Sequence, residues 1–436
     1  MHIKKHLNFT SLRQAVSDHV SGFTDRRQKG KVDHSLHDSC MSALAMMFFQ
    51  DPSMLAFQTR LQSTTHRNNL QTLFNVSSIP KESQMKDILD KVPSHLFYPV
   101  FKDYLARLQR TKHLEQFKFI NDSFLLPLDG TQYFSSEAIS CDHCLSKKLK
   151  NGNVLYYHQV LAATLVHPDL KQVIPLAPEP IENTDGTEKQ DCERNAAKRL
   201  VGRIRNTHPK LKFILLGDDL YSNDPFILIA KENDMSFILV AKPDSHKFLY
   251  ECARDLHGFG DGKTLRKTDA KGREHIYKWC NRVPLNKTQE KEDYIHFFEH
   301  FIMVDGKITS KGAWVTDILI NEANIQDLTR AARARWKIEN EAFNTLKNQG
   351  YHADHNFGHG ADNLSFNFFL LNLIAFFMHQ IAELTDLHYQ TCRKCFSSKK
   401  DFWNQLRYTI RILVFSDWEH LLLTIIGSPE NTSQPP

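Results

Sequence analysis

The sequence predicts an α+β protein: a mixed sheet with helices packed on it, and helical segments at both ends of the chain. Three observations carry this. Apolar runs with helical spacing fill residues 34 to about 118, and strand-like runs bounded by turn residues begin only after Phe117. From there the order is three strands, then a helix, a strand, a helix and a strand. The balance of 41% hydrophobic and 24% charged residues over 436 positions is that of a globular chain with room for two or three domains. It excludes a disordered chain, a collagen-like fibre and a disulfide-stapled miniprotein.

Taken in order, His34 to Phe49 is an apolar helical run, Asp51-Pro restarts the chain, and Ile79-Pro breaks it before Met85-Lys-Asp-Ile-Leu. Phe124-Leu-Leu-Pro-Leu-Asp-Gly-Thr reads as the first strand, Val154 to Val166 as the second and Val173-Ile-Pro-Leu as the third, with turns at Asn151-Gly and His167-Pro-Asp. Asp191 opens a helix through Ala196, Ala197, Leu200 and Ile204. Phe213-Ile-Leu-Leu-Gly-Asp and Phe237-Ile-Leu-Val-Ala-Lys are further strands flanking another helix. Residues 243–312 are more polar and read as an insertion, with strands near His275-Ile-Tyr and Phe297–Val304. Strand texture resumes at Trp314, and Asn324 to Gln349 reads as one long helix. Leu364 to Ala382 is the greasiest stretch. Its Asn367, Asn372, His379 and Gln380 mark it as a core helix, and Phe366, Phe368, Phe369, Phe376 and Phe377 as core packing. A basic tail with Trp403 and Trp418 and a short Ser/Pro-rich end close the chain.

The first twenty residues are polar and interrupted, so the reading is of a protein without a signal peptide, placed in the cytoplasm. Residues 1–120 hold 17 Lys and Arg against 10 Asp and Glu, a surplus of 7. Since the whole chain nets +5, the remaining 316 residues net −2. Such a basic front end suits contact with phosphate as well as it suits a solvated surface.

Three carboxylates each read as closing an apolar element where water begins. Asp129 ends Leu125-Leu-Pro-Leu-Asp-Gly, Asp218 ends Ile214-Leu-Leu-Gly-Asp, and Glu339 lies on the helix Arg333-Ala-Arg-Trp-Lys-Ile-Glu-Asn-Glu. Carboxylates from separated elements are what hard divalent cations require, and two such ions about 4 Å apart can drive phosphodiester chemistry. For any one of them taken alone, capping a turn is the stronger reading.

The third element is the specific one. Arg335-Trp-Lys-Ile-Glu339, with Phe343 and Lys347, resembles the signature helix of bacterial insertion-sequence transposases of the DDE type, in the retroviral-integrase and ribonuclease-H-like superfamily. That branch carries Tyr-x2-Arg-x3-Glu-x6-Lys. Trp314-Val-Thr-Asp is similar to the strand before that helix, and Asp362-Asn-Leu to the start of the next one. Leu128-Asp-Gly-Thr and Gly217-Asp-Asp-Leu-Tyr sit where the family's first and second catalytic Asp belong. The resemblance covers roughly residues 119–385. It departs at two points: the family's Tyr falls on Ala332, and Lys347 comes one residue late. The helix spacing still places Arg335, Glu339 and Lys347 on one face.

The resemblance implies a ribonuclease-H-like catalytic core over 119–242 and 313–386, with a β-rich insertion at 243–312. Around it would lie a helical DNA-binding domain at 1–118 and a helical tail at 387–436. It implies a DNA transposase, nucleoid-associated in the cytoplasm, that cleaves transposon-end phosphodiester bonds and joins the freed 3′-hydroxyl to target DNA. Asp129, Asp218 and Glu339 would hold Mg²⁺, with Mn²⁺ able to substitute, and Arg335 and Lys347 would contact DNA phosphate. Transposon-end DNA, target DNA and a second copy of the chain, forming a homodimer on DNA, are the implied partners. A nuclease of the same fold that does not join strands, and an inactive DNA-binding protein, remain as alternatives.

Two local ambiguities have physical answers at this level. Glu341 stands about 200° round the helix from Glu339, so only one faces the sheet, and the Arg-Trp-x-Ile-Glu register selects Glu339. Of Asp218 and Asp219, Asp218 directly follows the glycine that ends the apolar run and is the one selected.

Cys141-Asp-His-Cys144 could be a zinc half-site, a redox pair or buried thiols. A meander of the first three strands would bring Cys192 towards it, with a fourth ligand from His352, His355 or His359. The competing reading is plain thiol packing in a reducing compartment. Cys392-Arg-Lys-Cys395 reads as solvent-exposed free thiols.

Overall fold

The structure, a computed structural model, describes residues 3–28, 30, 32–61, 64–183, 192–290 and 293–427. The chain opens with α1 (Phe9–Ser21), α2 (Leu36–Phe48), α3 (Met54–Leu61), α4 (Thr64–Phe74), α5 (Glu82–Asp90) and α6 (Tyr98–Arg110). The capping residues are those a sequence would nominate: Asn8 accepts from the Ser11 N–H and Ser35 from the Asp38 N–H, each satisfying a donor that the first helical turn leaves open.

The sheet begins with β1 (Phe124–Ser136), β2 (Leu145–Lys148), β3 (Val154–Leu165), β4 (Ile174–Pro175) and β5 (Glu179–Ile181). Then come α7 (Glu193–Thr207), β6 (Phe213–Gly217), α8 (Asp224–Glu232), β7 (Ser236–Val240) and α9 (Lys247–Gly258). Four more strands follow: β8 (Lys263–Thr268), β9 (Glu274–Val283), β10 (Ile295–Val304) and β11 (Lys307–Thr316). All eleven belong to one mixed sheet with the path β2-β3-β1-β6-β7-β11-β10-β9-β8, and β4 and β5 pair with β3 beside that path. β1, β6 and β7 are parallel to one another, whereas β3 and β11 are antiparallel to their neighbours. The parallel strands β6 and β7 are nearly all apolar, α8 and α10 (Ile325–Arg333) pack on β7, and β6 is buried throughout.

Several expectations are corrected here. The third strand is not a single run at Val173-Ile-Pro-Leu. It is two short pieces, β4 and β5, since Pro175, Pro178 and Pro180 cannot sustain a ladder of N–H donors. The polar segment after residue 243 is not set apart from the sheet: β11 pairs with β7, so β8 to β11 extend the same sheet, and β11 itself runs across the expected boundary at 312. Asp129 does not end its strand. β1 continues to Ser136 against β3, and what stops after Pro127 is the pairing with β6. The expected helix from 324 to 349 is α10 (Ile325–Arg333), a π-helical turn (Ile338–Phe343) and α11 (Asn344–Asn348). Asp191, read as a helix opener, lies outside the described residues, as does the Ser/Pro-rich end after residue 427.

Last come α12 (Leu364–Thr385), α13 (Leu387–Lys394), α14 (Lys399–Ile412) and α15 (Trp418–Ile426). Among the described residues α12 is the one helix long and apolar enough to cross a membrane, yet 94% of its apolar window is buried inside the protein. Its polar residues show why it belongs there. The Asn367 amide donates to Leu89 O and Val92 O, Asn372 donates to Tyr351 O, His379 bonds the Tyr351 hydroxyl, and Gln380 accepts from the Val173 N–H. These bonds pair the polar atoms of a buried helix with partners on other segments.

The two ends of the chain share one helical body. α12 packs on α1, α2 and α5, and α14 packs on α4. Asn69 of α4 donates to Ile410 O and Leu413 O at 2.7 Å and accepts from the Phe415 N–H. Arg407 of α14 donates to Phe49 O and Gln50 O. Residues 1–118 and 387–427 are thus joined through a common core rather than set at opposite ends. Cys392, expected to be exposed, is buried on α13, and Cys395 is half-buried.

Candidate active site

The parallel pairing of β1 and β6 sets two of the carboxylates side by side. Pro127 is the register partner of Leu216, an offset of 89 residues. Asp129 and Asp218 are also 89 residues apart, so each lies two positions beyond the last paired residues of neighbouring strands, which run about 4.8 Å apart. Asp129 Oδ1 accepts from the Gly130 N–H at 3.0 Å, and Asp218 Oδ1 accepts from the Leu220 N–H at 2.9 Å.

Glu339 arrives from the other side. The π-turn that bears it packs on β1 and β3. Arg335 joins the two sources of charge: its Nη2 is 3.1 Å from Glu339 Oε1 and its Nη1 is 4.0 Å from Asp129 Oδ2. Only 6% of Arg335 is exposed, so this guanidinium turns inward to the carboxylates. It is Glu339 and not Glu341 that makes this pair. Lys347 is half-buried; burial lowers its pKa, against the attraction of Asp354 and Asp129, which puts it within electrostatic reach of the site.

Asp219 faces elsewhere. Its carboxylate accepts from the Lys242 N–H at 2.7 Å and the Ser245 hydroxyl at 2.6 Å, and His246 Nε2 lies 3.4 Å away. It ties the end of β6 to the loop before α9, a structural task.

A fourth carboxylate, Glu193, was missed as a site residue. At the first turn of α7 it accepts from Gln159 Nε2 of β3 at 2.7 Å and from the Tyr221 hydroxyl at 3.4 Å. Its Oε1 sits where a Cβ on residue 130 would be, 2.2 Å away, so Gly130 is required for this close approach. In the sequence Glu193 looks like an ordinary first-turn acid complementing a helix dipole. Nothing local distinguishes it.

The crowding has an electrostatic consequence. Burial first, then Glu339, push the Asp129 carboxyl up to about 7; Arg335 opposes this, and Glu193 and Asp218 add to it. Glu193 is also raised, by burial and by Asp218. One guanidinium does not neutralise four neighbouring carboxylates, and a buried site with this excess is suited to hard cations.

Cys141 and Cys144 lie in the loop between β1 and β2, with sulfurs 3.7 Å apart. Cys192, exposed at the N-cap of α7, is not in their group; its expected place is taken by His158 of β3, with His359 beside it. The antiparallel meander does form, since β4 and β5 pair with β3, yet the first turn of α7 lies against Gln159 and Gly130 and not at the thiols. Of the other loop histidines, His352 takes a positive φ of 51° and His355 packs edge-on against Phe357.

No protein-family model matches this chain, and no curated protein matches it.

Proposed function

We propose that the protein is a DNA transposase of the DDE type, with Asp129, Asp218 and Glu339 as its acidic triad on a ribonuclease-H-like core. One observation carries this reading. The β1–β6 register sets Asp129 beside Asp218, and Arg335 reaches both Asp129 and Glu339, so the residues that resemble the family's motifs converge from elements up to 210 residues apart. The strand order around β1, antiparallel β3 on one side and parallel β6 and β7 on the other, is compatible with such a core.

The π-turn supports the same reading. Two α-helical turns take about 7.2 residues, which suits Glu and Lys seven apart. Here they are eight apart. A π-bulge adds one residue to a turn, and the bond from the Asn344 N–H to Glu339 O spans five residues. The extra residue is absorbed where it occurs, and Lys347 stays near Asp129.

The carboxyl oxygens, and the raised pKa of Asp129, fit divalent cations, and Asp129, Asp218 and Glu339 would hold them. Bound Mg²⁺ would supply activation of the attacking oxygen and stabilisation of the leaving one. The chain's own residues do the rest. Arg335 draws the Glu339 segment against β1 and offsets part of the negative charge. Lys347 stands at the site as a cation for a DNA phosphate, and Glu193 braces Tyr221 and Gln159 behind Asp129. Water would serve as nucleophile at the transposon end, and the freed 3′-hydroxyl at the target.

The test uses the full chain, Mg²⁺, and DNA carrying the terminal repeats that flank its own gene. Cleavage followed by joining of the 3′ end is expected. Asp129→Asn, Asp218→Asn and Glu339→Gln should each lower cleavage by about 10³-fold or more while end binding is largely kept. Cleavage without joining would assign a nuclease, and equal loss of binding would make these carboxylates structural.

A further inference from the structure

A second polar cluster lies farther along β1. Cys141 and Cys144 come from the β1–β2 loop, His158 from β3, and His359 from the loop before α12; one ligand atom from each lies within 4.8 Å of all the others. The individual separations are specific. The sulfurs are 3.7 Å apart, His158 Nε2 is 3.6 Å from Cys141 Sγ and 3.5 Å from Cys144 Sγ, and His359 Nε2 is 3.4 Å from Cys144 Sγ. The two Nε2 atoms are 3.1 Å apart.

Those are five of the six edges of a metal tetrahedron. Bonds of about 2.3 Å to sulfur and about 2.05 Å to nitrogen, at tetrahedral angles, require edges of about 3.8 Å between sulfurs, 3.6 Å between sulfur and nitrogen and 3.3 Å between nitrogens. The five separations agree to within about 0.2 Å.

The outer contacts fit as well. His359 Nδ1 lies 2.8 Å from Gly360 O, where it donates its proton, so that Nε2 presents a bare lone pair to the cluster. The Cys144 N–H donates to Cys141 O at 3.1 Å, holding the loop in a turn with both sulfurs on one side. The Phe134 ring, 4.4 Å from His359, and Tyr133, stacked on His158, wall the cluster. Cys144 and His158 are buried, so lone pairs converging there need a cation or a proton between them.

We propose that Cys141, Cys144, His158 and His359 bind one structural Zn²⁺. Binding would release the two thiol protons, leaving two thiolates, two neutral imidazoles and Zn²⁺ with no net charge. Four protein ligands fill the tetrahedron and leave no position for substrate. The ion would clamp three segments: the loop after β1, the middle of β3, and the loop that follows the Glu339-bearing turn. His158 pairs with Phe134, five residues beyond Asp129, so the clamp sits roughly 17 Å along the strand from the carboxylates. It holds the strand of Asp129 and the segment after Glu339 in fixed relation.

The experiment is metal analysis of the full-length chain purified without chelator, followed by replacement with Co²⁺. About one zinc per chain is expected, and the cobalt form should show the intense visible bands of a tetrahedral site with thiolate charge transfer. Cys144→Ser and His359→Ala should lose the zinc, whereas Cys192→Ser should keep it. Less than about a tenth of a zinc per chain from zinc-supplemented cells, together with no tetrahedral cobalt spectrum, would overturn the proposal. So would zinc retained in Cys144→Ser or lost in Cys192→Ser. Should the variants fail to fold, the cobalt spectrum of the unmodified chain still decides. None of these readouts depends on whether the carboxylate site cuts DNA.

Discussion

Replacing Asp129 by Asn should leave the chain more stable at pH 8 than the unmodified protein, although the same change removes the proposed activity. Burial and neighbouring acids lift the Asp129 carboxyl from 3.8 to about 7. Between these values the folded state keeps a proton that the unfolded chain has lost, so stability falls as pH rises from about 4 to about 7 and stays lowered above that. At about 1.36 kcal/mol per unit, three units set a ceiling near 4 kcal/mol. The group is 23% exposed, and an Asn amide there needs partners of its own, so a net gain of about 1–2 kcal/mol at pH 8 is expected. The gain should shrink towards zero near pH 4. Denaturant unfolding of both proteins across this range is the assay, without divalent metal and again with millimolar Mg²⁺. Mg²⁺ at ten times its dissociation constant should stabilise the unmodified chain by about 1.4 kcal/mol at pH 8 and the variant much less. A variant that is less stable at pH 8, or offset equally at every pH, would refute the electrostatic account of the site.

Other outcomes follow from single contacts. Gly130→Ala places a Cβ 2.2 Å from Glu193 Oε1 and 2.7 Å from Gln159 Nε2, and should cost about 1–3 kcal/mol in denaturant unfolding, largely recovered in a Gly130→Ala/Glu193→Ala double variant. Asp90, at the end of α5, accepts from the backbone N–H groups of Ala361, Asp362, Asn363 and Leu364. Burial would raise its pKa, but these four donors together hold it below the usual carboxylate range. Asp90→Asn should cost about 1–3 kcal/mol at pH 7, and the difference should disappear as pH falls through the lowered pKa. A fragment of residues 1–118 should not unfold cooperatively by calorimetry, because Asn69, Leu89 and Val92 use partners in α12 and at the end of α14. If the basic residues of 1–120, whose surplus is +7, contact DNA phosphate, the full chain should bind its terminal repeats with an affinity that falls steeply with salt; a flat salt response measured by fluorescence anisotropy would place recognition elsewhere.

By itself the sequence determined what depends on near neighbours along the chain. Periodicity and turn residues were enough for the order of helices and strands, for β6 and β7 as buried strands, and for α12 as a core helix marked by its own Asn, His and Gln. A motif with an internal spacing, Arg335 to Glu339, was legible because both residues lie within about one helical turn. The tertiary structure alone decided what meets across long separations. His158 stands beside the Cys141–Cys144 loop through the register of β3 on β1, and Glu193 reaches Gly130 because α7 lies over β3; no local pattern encodes either pairing. The meander of β1, β3 and β4–β5 forms, but the place expected for Cys192 beside the thiols is taken by His158 and His359, which only the tertiary fold brings there. The π-turn was hidden for a related reason: it adds one residue to a helical turn, and nothing in the 3.6-residue periodicity of the sequence marks where that residue is taken up. The joined helical body at the two chain ends follows the same rule, since Asn69, Asn367 and Asp90 find their partners some 270 to 350 residues away, where burial and not sequence proximity brings backbone groups in need of them.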